Sequence, residues 1–99
     1  MVIVIFRSRL RPDAGPDYAA TAARMVALAQ ATPGFVSYRH YEADDGERVT
    51  IAEFDSEQAV RAWREHPEHR EAQRRGREEW YAWYRITTCT PLRDADFPP

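Results

Sequence analysis

The chain has 99 residues, of which 43% are hydrophobic, and this length suits one compact domain near the lower end of the sizes at which a core is stable without disulfides or metals. Its formal net charge of -2 gives no electrostatic footprint for nucleic acid. No apolar stretch approaches the roughly 18 residues that a membrane span needs. We therefore expect a single domain over residues 1–99, with no nucleic acid and no membrane among its partners.

Cysteine and lysine usage excludes two further classes of chemistry. Cys89 is the only cysteine, so an internal disulfide and any metal site built from several cysteines are excluded. All 14 basic residues are arginines, which excludes a lysine Schiff base. The apolar start at residues 1–6 is shorter than a signal-peptide core and continues into charged residues. Together these features predict a cytoplasmic protein.

The first half of the chain predicts three strands and one helix. Residues 2–9 are rich in β-branched and aromatic side chains, which is typical of a strand, and apolar residues occur on both of its faces. An alanine-rich segment with apolar residues at helical spacing predicts a helix over residues 16–31. Two further strands, at residues 35–42 and 47–54, are joined through an Asp-Gly step, which is a strong hairpin signal.

The next segment predicts a helix that is interrupted. Asp55-Ser-Glu-Gln58 offers a capping residue with a glutamine three positions later, which is the signature of a helix start. Pro67 should end or kink that helix at His66, because proline lacks the backbone N–H and clashes with the preceding turn. We therefore expect two helical pieces, at about residues 56–66 and 67–79.

A last strand and a tail complete the predicted fold. The strand begins at Tyr81 or Trp83 and continues to Thr90, and residues 91–99 form a C-terminal tail. The order of elements predicts an α+β, ferredoxin-like βαββαβ fold, with a four-stranded antiparallel sheet and both helices on one face. Two helices cover only one face of the sheet, yet the strands are apolar on both faces. The uncovered face needs a partner, and a second copy of the chain predicts a two-fold homodimer.

The segment from Trp63 to Gln73 carries the residues best suited to chemistry. Histidine has an ordinary pKa of about 6.5, so His66 or His69 can take a proton from a phenol at neutral pH. In one continuous helix, Trp63, His66, Gln73 and, less directly, His69 and Arg70 would share a face, whereas a kink at Pro67 would rotate the residues beyond it by an unknown amount. The alternatives are that His66 caps the carbonyls of the first helical piece and that His69 is a solvated helix residue.

Aromatic and charged residues around this segment leave further alternatives open. Five aromatic residues can line an apolar pocket or pack in the core, and packing is favoured for the last four: Trp63, Trp80, Tyr81, Trp83 and Tyr84. Tyr38 and His40 project from the same side of the second strand, and His40 is expected at the surface or an interface.

Six arginines alternate with glutamates in the pattern of a solvated helix face: Arg61, Arg64, Arg70, Arg74, Arg75 and Arg77. Pairs such as Glu71 with Arg75 are expected from the helical spacing. A metal at His66 and His69 lacks a clear further ligand, so we expect no bound metal.

The order of elements, together with Trp63, the His66-Pro67-x-His69 step, Gly76-Arg77 and Trp80-Tyr81, resembles the antibiotic biosynthesis monooxygenase family of dimeric α+β barrel proteins. The resemblance covers nearly the whole chain. It implies a dimer whose two sheets pack face to face, and a pocket in each subunit between the helices and the sheet. Some members of this superfamily oxidise aromatic hydroquinones or anthrones with O2 and no cofactor, whereas others degrade haem.

The haem-degrading members are recognised by three marks, of which this chain keeps one. They have Asn at the Asn-Arg-Leu step that ends the first strand, Trp in the second helix and a haem-ligating His ten residues later. Here Ser8 replaces the Asn, Trp63 is present, and Gln73 replaces the His. These departures disfavour haem binding or degradation, although His66 or His69 could offer an alternative ligand.

The resemblance therefore implies a cofactor-independent monooxygenase that oxidises a small phenol or hydroquinone with O2. In that reading His66, His69 and Trp63 are the catalytic candidates. The candidate substrate-binding residues are Gln73, Arg70, Tyr38, Ser8 and Trp80. The main alternative is a non-enzymatic dimeric module that binds or senses an aromatic metabolite.

Overall fold

Four strands form one antiparallel sheet in a computed structural model that describes all of residues 1–99. The strands are β1 (Val2–Leu10), β2 (Phe35–Glu42), β3 (Arg48–Phe54) and β4 (Tyr81–Cys89). Their order across the sheet is β2-β3-β1-β4, so the two strands that are central in space are the first and the third in the chain. The predicted antiparallel plan is confirmed.

Three α-helices connect these strands: α1 (Asp17–Ala31), α2 (Glu57–Arg64) and α3 (Pro67–Arg75). The second helical segment breaks at Pro67, as predicted, and Pro67 occupies the first turn of α3. The cap of α2 is Ser56, whose Oγ accepts a hydrogen bond from the Ala59 N–H at 3.1 Å. None of the helices combines the length and the apolar character needed to cross a bilayer.

The predicted helical piece over residues 67–79 differs from the structure at its end. The α-helix stops at Arg75, and Gly76–Trp80 form a π-helical turn that leads directly into β4. Gly76 is buried, and a Cβ atom at this position would lie 2.8 Å from the ring of Tyr81. The turn therefore needs a residue without a side chain, because the backbone passes close to an aromatic ring.

The two faces of the sheet have different surroundings. On the helix-facing side, Val4 and Phe54 pack in a core cluster with Trp63 of α2 and Ala29 of α1. On the opposite side the central apolar residues stay partly exposed: Ile3, Ile5, Val49 and Ile51. The tail beyond β4 carries no helix or strand, and the side chains of Leu92 and Phe97 are exposed. All helices therefore cover one face, and the other face is open in a single chain.

Candidate functional site

A cavity of about 250 Å³ lies between the helices and the covered face of the sheet. Twelve of its 18 lining residues are hydrophobic, which makes it suited to an apolar ligand. Its apolar walls come from both strands and helices and include Phe6, Met25, Trp63, Trp80, Tyr84 and Ile86. An engineered apolar cavity of about 150 Å³ binds benzene, so this volume suits one substituted ring or two small rings.

Trp63 forms a fixed wall of the cavity. Its side chain is only 8% exposed, and its indole N–H donates a hydrogen bond to the backbone carbonyl of Met25 at 3.2 Å. The ring packs on Phe54 with centroids 5.4 Å apart, and the imidazole of His69 meets it edge-on at 4.5 Å. Because its one donor is already used, Trp63 offers a ligand an aromatic surface and no hydrogen bond.

Gln73 holds His69 by a hydrogen bond that fixes the tautomer of the imidazole. The Gln73 Nε2 lies 2.8 Å from His69 Nδ1 and 3.4 Å from the backbone carbonyl oxygen of Arg64. That carbonyl can only accept, so the amide nitrogen donates to both groups, and Nδ1 of His69 is the accepting nitrogen. The ring proton therefore resides on Nε2, which makes no hydrogen bond within the chain.

The surroundings of His69 keep its imidazole neutral. Burial, followed by the positive charges of Arg64 and His66, lowers the pKa of His69 from 6.5 to about 4. At neutral pH the ring is therefore uncharged, and its Nε2–H is available as a donor to a ligand.

The structure separates the predicted site residues into two groups. Trp63, His69, Gln73, Tyr38 and Trp80 all line the cavity. The other three predicted residues do not line it: His66, Arg70 and Ser8. Lining the cavity places a residue where a ligand would be, and the catalytic and binding roles of all eight remain predictions.

His66 is part of the backbone architecture of α3. Its Nδ1 accepts a hydrogen bond from the backbone N–H of Glu68 at 3.1 Å, which makes it the N-cap of α3. The alternative that His66 caps the carbonyls of the preceding helical piece was wrong, because the ring turns towards the helix that follows. The break at Pro67 accounts for this, since α3 begins there and needs its own cap.

Arg70 and Ser8 are excluded from the cavity lining for different reasons. Arg70 is exposed and lines a separate surface groove between α2, α3 and β4, which Arg64 and Gln73 also line. Ser8 is only 1% exposed and points to the helix-facing side of the sheet, where β1 places it beside Arg48 and Tyr84.

Several tyrosines line the cavity, and one of them, Tyr18, was not predicted from the sequence. Tyr18 of α1 packs edge-on against Trp80 at 5.4 Å, and its hydroxyl lies 3.5 Å from the hydroxyl of Tyr81. Burial raises the pKa of Tyr81, so that phenol stays protonated. Tyr81 and Tyr84 also line the cavity, whereas Trp83 belongs to the opposite face and is 39% exposed.

The solvated helix face predicted for six arginines is wrong for one of them. Arg64 is half-buried and lines the cavity, whereas Arg77 also lines the cavity but is exposed, as predicted. Arg61, Arg74 and Arg75 do follow that pattern and pair with carboxylates on the surface. The expected pair of Glu71 with Arg75 is replaced by Glu71 with Arg74, while Arg75 pairs with Asp17 and Glu79.

The sequence model of the antibiotic biosynthesis monooxygenase family matches residues 1–75, which is about three quarters of the chain. The chain belongs to this family. As a family member it is 39% identical over 83 residues to the uncharacterized protein YqjZ of Bacillus subtilis, a match that covers 84% of this chain and 72% of YqjZ.

Two solved structures show how closely this antibiotic biosynthesis monooxygenase family member follows a known fold. Rv0793 from Mycobacterium tuberculosis is 30% identical, with a TM-score of 0.82, and the match covers 96% of this chain and 98% of Rv0793. SnoaB from Streptomyces nogalater, a cofactor-independent oxygenase, is 20% identical with a TM-score of 0.78, and the match covers 99% and 97% of the two chains. The family and the fold expected from the sequence resemblance are thereby confirmed.

Proposed function

We propose that this protein is a cofactor-independent monooxygenase that oxidises a small phenol or hydroquinone with O2 in the cavity beside Trp63. The observation that carries the proposal is the neutral imidazole of His69, held by Gln73 with its Nε2–H unpaired at the wall of an aromatic cavity. The family description and the printed name of SnoaB support an oxygenase reaction without a cofactor.

In the proposed mechanism the aromatic walls bind the ring of the substrate. Trp63 offers one rigid surface, and the cavity volume suits one or two rings better than a macrocycle such as haem. The substrate hydroxyl then lies against His69. A flat ring held in this way exposes its carbon atoms to O2 that enters the same cavity.

His69 acts in this proposal as a hydrogen-bond donor to the substrate oxygen. Its Nδ1 accepts from Gln73, so the ring reaches the substrate through Nε2–H and stabilises the phenolate over the phenol. This role replaces that of a general base, because the basic nitrogen is already occupied. The proton of the phenol leaves to water.

The phenolate transfers one electron to O2, and the resulting phenoxyl radical and superoxide combine to form a C–O bond at the ring. Cleavage of the O–O bond leaves one oxygen atom on the ring as a carbonyl, and the other oxygen leaves as water with two protons from the substrate and solvent. A phenol and one O2 thereby give a quinone and one H2O, so the substrate is the only reductant.

Oxygen uptake with a panel of phenols and hydroquinones tests this proposal. Removal of one preorganised donor to a developing oxyanion typically lowers kcat by about 10²–10³-fold, and we expect this loss in His69→Ala. The matched control is His66→Asn, which keeps a capping side chain and lies outside the cavity. Equal uptake by wild type and His69→Ala would contradict the role of His69.

The same panel separates the enzyme from its alternatives. Calorimetric binding of aromatic ligands without any oxygen uptake would favour a non-enzymatic binding or sensing module. A Soret band on addition of haem would favour haem binding. Release of hydrogen peroxide in place of water would make the protein an oxidase and not a monooxygenase.

We also propose that two copies associate through the open face of the sheet. Ile5 and Ile51 are neighbours at its centre, and Tyr41 and Trp83 are exposed on the same side. Sedimentation velocity should show a dimer that Ile51→Glu dissociates and Leu92→Glu, in the exposed tail, does not. A monomeric wild type at micromolar concentration would rule out this assembly.

A further inference from the structure

The charge inside the cavity is unbalanced. Arg64 and Arg77 are among its lining residues, and no aspartate or glutamate is among them. The pKa of His69 responds to this field, because the charge of Arg64 contributes to holding it low. The only charged side chains that line the cavity are therefore two arginines, whose guanidinium groups stay positively charged at any physiological pH.

In the helical arm that runs from α2 to the π-helical turn, these two arginines and the exposed Arg70 have no carboxylate partner, unlike the other three arginines. Arg61, Arg74 and Arg75 each have a carboxylate partner, whereas neither Arg64 nor Arg77 takes part in an ion pair. The Arg77 guanidinium reaches only the hydroxyl of Tyr84, at 3.5 Å. Arg64 is partly buried, and its nearest acidic residue by helical spacing, Glu68, is bound to Arg24 at 2.8 Å.

We infer that the ligand of this cavity is an aromatic carboxylate, whose acid group pairs with Arg64 or with Arg77. Arg64 is half-buried, Arg77 is exposed, and neither is paired with a carboxylate of the chain, so the fork of donors of either guanidinium can bind a carboxylate in a bidentate manner. The inference rests on the proposed function for the identity of the site, and it narrows the substrate to a phenol or hydroquinone that bears a carboxyl group.

Isothermal titration with para-hydroxybenzoate and para-hydroxybenzamide tests this inference. The two probes have the same shape and the same phenol, and at about pH 6 the carboxyl is ionised while both phenols are neutral. We expect the acid to bind wild type about 10-fold to 100-fold more tightly than the amide, as for other charge-assisted contacts. Equal affinities, or no binding of either probe, would overturn the inference.

Two double variants assign the preference to the cavity arginines. In Arg64→Gln/Arg77→Gln the acid and the amide should bind within about twofold of each other. The control Arg61→Gln/Arg74→Gln removes the same net charge from the surface, at residues that pair with Glu57 and Glu71, and should keep the full preference. If the cavity double variant does not fold, the single variants replace it, and at least one of them should lose about threefold or more of the preference. Survival of the preference in the cavity variants would overturn the inference.

The test of the anionic ligand does not depend on whether the protein turns the ligand over, because binding and oxygen uptake are measured separately. A preference for the acid without any oxygen uptake would sustain the anionic ligand and reject the monooxygenase. Oxygen uptake with neutral phenols, without a preference for the acid, would reject the anionic ligand and sustain the monooxygenase.

Discussion

The helical arm that runs from α2 to the π-helical turn carries two histidines and several arginines. Those on its inner side, next to the cavity, make different contacts from those on its outer side. His69 on the inner side packs on Trp63 and is neutral, whereas His66, three residues earlier, accepts a backbone hydrogen bond as a helix cap. Arg64, which lines both the cavity and the surface groove, has no carboxylate partner, whereas Arg61, one turn away, pairs with Glu57 at 3.6 Å.

This difference shows that the break at Pro67, and not residue type, decides which of the two histidines lines the cavity. In one continuous helix His66 and not His69 would follow Trp63 at the favourable spacing of three residues. The break removes His66 to the cap position and restarts the helix so that His69 meets the indole. The inner side is therefore assembled by packing across the break.

The largest expected loss of stability comes from removing the indole ring of Trp63, on which His69 packs. Trp63→Ala deletes a buried ring that contacts Phe54 and His69, and such substitutions cost about 3–5 kcal/mol of unfolding free energy. Urea denaturation followed by circular dichroism measures this loss. Leu92→Ala, in the fully exposed tail, is the control and should change the unfolding free energy by less than about 0.5 kcal/mol. A loss below about 1 kcal/mol in Trp63→Ala would contradict the role of the indole as a structural wall.

The next effect is the contribution of His69 to the pH dependence of the unfolding free energy. The pKa of His69 is about 4 in the folded chain and 6.5 ordinarily, so between these values the unfolded state binds more protons. Stability should therefore fall as pH decreases from about 6.5 to about 4, by at most about 3 kcal/mol from this group. His69→Gln should lose less stability over this window than wild type.

The comparison of His69→Gln with wild type isolates this group from the carboxylates. Asp17 and Glu68 also have lowered pKa values through their arginine partners. The stability that these two carboxylates contribute is therefore also lost as pH falls through their own titration range. Both proteins share that loss, and it cancels in the difference. Parallel stability curves from pH 7 to pH 4 would mean that His69 is not held neutral in the folded chain.

Most of the fold was predictable because its signals are local. The β-branched run at the start, the Asp-Gly step and the proline at position 67 each act on the backbone within a few residues. The orientation of α3 was not predictable, because it depends on contacts with other helices, such as His69 with Trp63 of α2 and Glu68 with Arg24 of α1. The sequence therefore identified the helical break, and only the structure selects His69 over His66.

The cavity arginines were missed although the sequence carries a signal for them. Arg77 has no acidic residue three or four positions away, and Arg64 has only Glu68, on the far side of Pro67. Arg70 shares this lack of partners, yet it lines only the surface groove and not the cavity. An arginine without an acidic residue at helical spacing is therefore a candidate for the cavity lining, and the packing of the helical arm determines which candidates reach the cavity.

A smaller loss of stability should follow from adding a methyl group at Gly76, at the start of the π-helical turn. A Cβ atom at position 76 would lie 2.8 Å from the Tyr81 ring, which also lines the cavity. Gly76→Ala should therefore cost about 1–3 kcal/mol by overpacking, against the gain that alanine brings to an ordinary helix. Thermal denaturation measures the sign. A stabilised Gly76→Ala would show that the ring of Tyr81 can move without cost.

The smallest effect should come from the outer histidine, and it should not reach the cavity. His66→Ala removes the acceptor of the Glu68 N–H and should cost about 1 kcal/mol of unfolding free energy, as for other N-caps. His66→Asn should restore most of that stability, because asparagine is a preferred cap. Affinity of the aromatic probes should stay within about twofold of wild type in both variants. If His66→Ala weakens probe binding tenfold while His66→Asn does not, the cap of α3 positions the inner side, and the separation between the two histidines is less complete than their contacts indicate.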